Sequence, residues 1–313
     1  MQTENSGKLF YDKEKLCLYN FSTVQDYWHL CTPGMNVPII FTCREDFEYG
    51  MCLMAMCVHL FQDISVYTFV LMNTHIHVIL SGDENRCREF FEMFSRKLRR
   101  YLSECGRSID MSGFAPQLIP IKDLQMLRNE IIYVNRNGYV ANSNYSPYSY
   151  PWGAGMYLFN PLAEKLPYVN FERLTVRKRR EICRTKVIDV CHGMKVHENI
   201  ILPTSFCKIR EAENMFRDAA HYFSSLTRNH EAFSEIAKRI GDTSFLPDSE
   251  MYQAVASICN KKYGIRKPSL LTPAAKMETA RMMHYEYHAS NRQIRSILNM
   301  DMVAIDEMFP SSQ

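Results

Sequence analysis

Between Ile64 and Gly82 the chain carries two β-rich runs, Ile64–Leu71 and His75–Leu80, parted only by Met72-Asn73-Thr74. Runs of β-branched and aromatic residues with so short a break predict an antiparallel hairpin. A lone hairpin is at best marginal in water, so other elements must complete a sheet around it. Val37–Cys43, after the Pro33-Gly34 turn, reads as a strand, and Glu45–Gln62 as a helix with Phe47, Met51, Met54, Val58 and Phe61 on one face. Asp83 or Asn85 caps a long amphipathic helix to about Glu104, and Pro116–Ile121 is a short extended run. Lys122–Asn137 returns to helical period, and Gly138 is placed to end it. The order β-α-β-β-α-β is that of the split βαβ, ferredoxin-like arrangement. The fold class expected is therefore α+β.

From Glu172 onward the pattern is almost wholly helical. Candidate helices are Arg177–Cys191, Ser205–Thr227, Ala232–Ile240 and Ser249–Tyr263, then Pro273–His288, Asn291–Leu298 and Met302–Met308. Three short helices with tight connections, capped by Ser290 or Asn291 and by Asp301, predict an all-α region ending in a helix-turn-helix. The 313 residues then divide into an extension over 1–35, a sheet domain over 36–160, a helical region over 161–265 and a helix-turn-helix-like unit over 266–313. No run of 18 apolar residues predicts a membrane span, and Met1–Lys8 is too polar for a signal peptide. The expectation is a cytoplasmic protein. Its 11 cysteines form no Cys-x-x-Cys pair, so they read as buried thiols in a reducing compartment.

Net charge is only +3, but the cations are clustered. Arg173–Lys186 holds seven Lys or Arg against one acid, Arg86–Arg107 seven against three, and Lys261–Arg295 eight against two. Such stretches favour a polyanionic partner, although each also suits a solvated helix face.

The sharpest chemical feature is Thr74-His75-Ile76-His77-Val78. Side chains two apart on a strand share a face, so His75 and His77 can converge on one metal ion. A strand carrying two histidines without a ligand is the plainer alternative. Tyr133 and Asn137 lie four apart on a predicted helix, hence on one face. They offer a hydroxyl nucleophile and a hard oxygen ligand. Ionising a tyrosine at pH 7 costs roughly 4 kcal/mol, so such a nucleophile needs a metal or base beside it. A packed core tyrosine is the alternative there.

Together these segments resemble the HUH nucleases, and most closely the REP-associated single-tyrosine transposases. Phe69-Val70-Leu71-Met72-Asn73-Thr74-His75-Ile76-His77-Val78 is similar to that family's VLMPNHIHLL strand. Tyr133-Val134-Asn135-Arg136-Asn137 is similar to its YIHLNP segment, and Tyr150-Pro151-Trp152 to its YPWSS. The chain departs from the pattern at Asn73-Thr74, where Pro-Asn is usual, and at Gly138, where proline is usual. The resemblance spans about residues 36–160. It implies a ferredoxin-like HUH nuclease domain with His75, His77 and Asn137 holding Mg²⁺ or Mn²⁺. It makes Tyr133 the nucleophile, with Tyr139 in reserve. Arg96, Lys97 and Arg100 become candidate phosphate contacts. The implied substrate is single-stranded or hairpin DNA, with duplex DNA as a further partner for the C-terminal helices. The protein would act as a monomer or homodimer in a bacterial cytoplasm, nucleoid-associated when bound to DNA. Three alternatives stand beside this: a domesticated hairpin binder that no longer cuts, an RNA-binding domain, and a phosphohydrolase using water.

Overall fold

The computed structural model describes residues 3–24, 26–33, 38–140, 145–187, 190–228, 230–240, 248–285, 287 and 289–309. The chain forms two compact units, residues 1–226 and 227–313. The expected boundaries at 160 and 265 fall inside them.

The first unit opens with α1 (Thr3–Ser22), β1 (Tyr27–Cys31), α2 (Arg44–Leu60), β2 (Ser65–Leu71) and β3 (Ile76–Ser81). It continues with α3 (Glu84–Glu104), β4 (Gln117–Ile121) and α4 (Leu124–Val140). The four strands form one antiparallel sheet in the order β2-β3-β1-β4. The hairpin predicted from sequence is β2–β3, with Leu71 opposite Ile76.

The strand expected at Val37–Cys43 is corrected. Residue 37 lies outside the described residues, and 38–43 form no strand. Ile40 and Phe41 are fully buried, but both backbone N–H groups donate to one carbonyl, Asn73 O, at 2.8 and 3.0 Å. The segment therefore packs on the hairpin turn instead of joining a ladder. The strand that takes its place is β1, within the expected N-terminal extension, and it lies between β3 and β4.

Register divides the sheet into two chemically different faces. Leu30 pairs with Val78, which pairs with Phe69, so these share one face with Leu71 and Leu80. α2 is pressed against that face: a Cβ added to Gly50 would lie 2.8 Å from Leu71 Cδ1. Cys31 pairs with His77, and His29 and Thr68 both pair with Ile79, so the other face is polar at its centre. α4 covers it. Thr68 Oγ1 donates to Asn135 Oδ1, and Asn135 Nδ2 donates to Tyr222 Oη at 2.9 Å, a buried chain that fixes the rotation of α4 about its axis.

α4 does not stop at Gly138 as expected, but runs to Val140. The glycine serves close packing: a Cβ there would lie 2.2–2.6 Å from the Tyr150 ring. The Tyr150 hydroxyl donates to Leu71 O at 2.7 Å, and Leu71 N donates to Trp152 O at 2.8 Å. Residues 150–154 thus run along the outer edge of β2 and satisfy it.

The region after 161 is not all-α, as had been expected. A second antiparallel sheet joins β5 (Val169–Asn170), β6 (Lys195–His197) and β7 (Ile200–Ile201). Among them stands α5 (Val176–Cys183), which ends eight residues early at Arg184 in left-handed conformation, φ 43°. The helix expected over 205–227 is split into α6 (Ile209–Glu213) and α7 (Ala219–Arg228).

The second unit contains α8 (His230–Ile240), α9 (Asp248–Tyr263), α10 (Pro273–Tyr285), α11 (Asn291–Leu298) and α12 (Met302–Met308). Met251, Val255, Met283, Ile294, Leu298 and Ile305 form its core. Ser290 caps α11 in a reciprocal box with Gln293, and Asp301 caps α12 by accepting from Val303 N at 2.8 Å. The short α11–α12 connection turns at Asn299, φ 49°.

Replacing Gly138 by alanine should displace the Tyr150 ring and cost about 1–3 kcal/mol, the usual penalty of overpacking. Urea unfolding of the variant measures this, and an unchanged midpoint would refute the packing role.

Candidate metal centre

The polar face beneath α4 gathers residues from three elements. β1 contributes His29 and Cys31, two apart and so on one face; β3 contributes His77; α4 contributes Glu130 and, one turn on, Tyr133. His29, Cys31, His77 and Glu130 have no exposed surface, and Tyr133 is 1% exposed.

His29 Nδ1 lies 2.8 Å from Glu130 Oε2 and donates to it. A carboxylate in that position keeps the ring proton on Nδ1 and leaves Nε2 as an acceptor. Nε2 is 3.1 Å from His77 Nδ1. Cys31, opposite His77 in register, completes a group whose ligand atoms all lie within 4.8 Å of one another. This group could hold a metal ion.

Tyr133 stands against it. Its ring meets His77 edge-on, with centroids 5.6 Å apart and planes at 89°, and is 6.2 Å from His29. His75 precedes β3 rather than lying on it. Its ring still packs edge-on against His77 at 4.9 Å, and its Nδ1 is 2.9 Å from Thr74 Oγ1. The structure therefore brings His75, His77 and Tyr133 together. Asn137 lies one turn beyond Tyr133 on α4, and its Nδ2 is buried without a hydrogen-bond partner among the described residues. Tyr139 remains on α4 beside Arg136. Burial pushes its hydroxyl up to about 12, against the pull of the Arg136 cation. Burial likewise lowers the Arg136 guanidinium to about 10, partly offset by Tyr139 and Tyr133.

Arg96, Lys97 and Arg100 lie elsewhere. With Arg180, Arg184 and Lys186 they line a cavity of about 790 Å³ between α3 and α5 that none of the histidines, Tyr133 or Asn137 touches. Arg100 is paired with Glu104 at 2.8 Å, and Arg184 sits over the Tyr101 ring at 5.2 Å.

Sequence reasoning missed His29, Cys31 and Glu130. A signal for each was present. Tyr27-Trp28-His29-Leu30-Cys31 is a short aromatic run with two donors at alternate positions, the same spacing as His75 and His77. Glu130 lies three residues before Tyr133, on the same helical face. No family model, curated protein or solved structure matches the chain.

Glu130→Gln keeps the shape of the pair but removes its charge. A loss of about 1.5–3 kcal/mol is expected, as for a buried hydrogen bond to a charged group. Chemical unfolding near neutral pH checks it, and a change below 0.5 kcal/mol would mean that the pair does not stabilise the face (roughly the scatter of surface substitutions).

Proposed function

We propose that the first unit is a ferredoxin-like HUH nuclease domain that cleaves single-stranded or hairpin DNA through Tyr133. The observation that carries this reading is the Tyr133 ring set edge-on against His77, beneath the helix that follows a β-α-β-β-α-β series. The strand order β2-β3-β1-β4 is the one a split βαβ unit requires. A divalent ion at the cluster would act as a Lewis acid on a phosphate oxygen. The chain's own part is nucleophile and positioning. The Tyr133 hydroxyl gives up its proton and attacks phosphorus. The bond to the 3′ oxygen breaks, that oxygen takes a proton, and a 5′-phosphotyrosine link remains. Glu130 holds His29, and Asn135 holds α4, so that the tyrosine keeps its place over the sheet.

The cavity lined by Arg96, Lys97, Arg100, Arg180, Arg184 and Lys186 supports a polyanionic partner. On the second unit, Arg292 and Arg295 are exposed on α11, whereas α12 exposes Asp306 and Glu307. Of the two helices, α11 is the one suited to phosphates, and duplex DNA is proposed as its partner.

A second reading rests on burial. With Tyr133 1% exposed and His77 fully enclosed, a scissile phosphate reaches the tyrosine only if α4 moves. A hairpin-binding protein that no longer cuts needs no such movement.

The test is incubation of the full chain with labelled hairpin DNA and Mg²⁺, Mn²⁺ or Zn²⁺, followed by denaturing electrophoresis. A covalent protein–DNA band, abolished in Tyr133→Phe and His77→Ala, is expected. Cleavage that survives in Tyr133→Phe would assign the attack to water and refute the proposal. Tight binding without cleavage under every metal would establish the second reading.

A further inference from the structure

We infer that the buried cluster is a zinc-type site, with His29 Nε2, His77 Nδ1 and Cys31 Sγ as its ligands and Glu130 orienting His29. This rests on the reading of the cluster as a metal centre and is independent of DNA cleavage.

Two imidazole nitrogens and one thiol sulfur are the ligands of a borderline ion, and tetrahedral zinc is the common case. Mg²⁺ and Mn²⁺ prefer oxygen, and the set implied by the family resemblance obtained its oxygen from Asn137. The donors that β1 adds beside His77, on His29 and Cys31, are nitrogen and sulfur. The Glu130 carboxylate accepts from His29. The three residues that are grouped, His29, Cys31 and His77, thus offer no oxygen and do not make a magnesium set.

Geometry agrees with zinc. Bonds of about 2.0–2.1 Å to nitrogen and 2.3 Å to sulfur place tetrahedral ligands roughly 3.3–3.6 Å apart. His29 Nε2 and His77 Nδ1 are 3.1 Å apart, and one ligand atom from each of the three residues lies within 4.8 Å of the others, so the spacings differ from those of a tetrahedral site by about 1 Å or less per ligand pair. Two of the ligands face each other across the β1–β3 ladder, Cys31 opposite His77, and so share a rigid platform. The carboxylate–histidine pairing is the support that zinc-bound histidines usually have: it fixes the tautomer and makes the ligating nitrogen more basic. Three protein ligands leave one tetrahedral position for water or a phosphate oxygen, the pattern of catalytic rather than structural zinc. On binding, the Cys31 thiol loses its proton to solvent, the proton on His77 Nδ1 moves to the other ring nitrogen, and the thiolate sulfur and the two freed ring nitrogens bond the ion.

The chain has 11 cysteines, and Cys52 and Cys183 also lie close, Sγ to Sγ 3.2 Å. The test must therefore identify the sulfur. Metal-depleted full-length protein titrated with Co²⁺ should develop sulfur-to-cobalt charge-transfer absorption at one equivalent. One equivalent of Zn²⁺ should displace it, and excess Mg²⁺ should not. Cys31→Ser should abolish the absorption, while Cys183→Ser and Tyr133→Phe should keep it. Glu130→Gln should weaken Zn²⁺ binding by about 10–100-fold. X-ray absorption of the zinc-loaded wild type, which needs no variant to fold, should show one sulfur and at least two imidazoles. Cobalt binding without the sulfur band, survival of the band in Cys31→Ser, or displacement by Mg²⁺ would overturn the assignment. A protein that shows the band yet cleaves no DNA keeps the zinc site and loses the nuclease reading; cleavage with Mg²⁺ and no band does the reverse.

Discussion

The first unit depends on how one sheet face tolerates polar groups that have no exposed surface. His29 and Glu130 meet at 2.8 Å with no exposed surface, under a helix that buries Ile131, Ile132 and Val134 around them. An unpaired carboxylate there would cost several kcal/mol. The pair is acceptable only because strand β1 and helix α4 hold its two partners in fixed positions. That is a strong constraint on docking: α4 must sit at one rotation and one height, or Glu130 loses its partner. The Thr68–Asn135–Tyr222 chain enforces the rotation from β2 and α7. The close contact of Gly138 with Tyr150 sets how near the end of α4 comes to the edge of the sheet. Once α4 is fixed in this way, Tyr133 has no choice but to face His77.

Much of this was legible in the chain. The β2–β3 hairpin followed from two β-rich runs with a short break. The last two helices followed from their caps, and Ser290 and Asp301 do cap α11 and α12. The failures have physical causes. Val37–Cys43 was apolar enough to read as a strand, yet its buried Ile40 and Phe41 serve the core from a segment whose backbone bonds the Asn73 carbonyl. β1 is five residues long with one polar side chain in its middle, so its hydrophobic signal is weak. The strands of the second sheet have two or three residues, below what periodicity can register. Gly138 is needed for space and not for a turn, since a Cβ there would meet the Tyr150 ring.

The site was half legible for the same reason. Histidines two apart on one strand announce themselves locally, and so does a tyrosine on the helix that follows. His29 and Cys31 belong to the site only because β1 pairs with β3, a contact across nearly 50 residues that no local pattern encodes. With them the candidate donor set changes from two nitrogens and an amide oxygen to two nitrogens and a sulfur, and the basic cavity between α3 and α5 is a feature separate from it.

The most direct measurement is diffraction from zinc-loaded crystals at energies on either side of the zinc absorption edge. The zinc assignment predicts one strong anomalous peak among His29 Nε2, His77 Nδ1 and Cys31 Sγ, under Tyr133. A peak between His75 and Asn137 instead, or none on this face of the sheet, would contradict it.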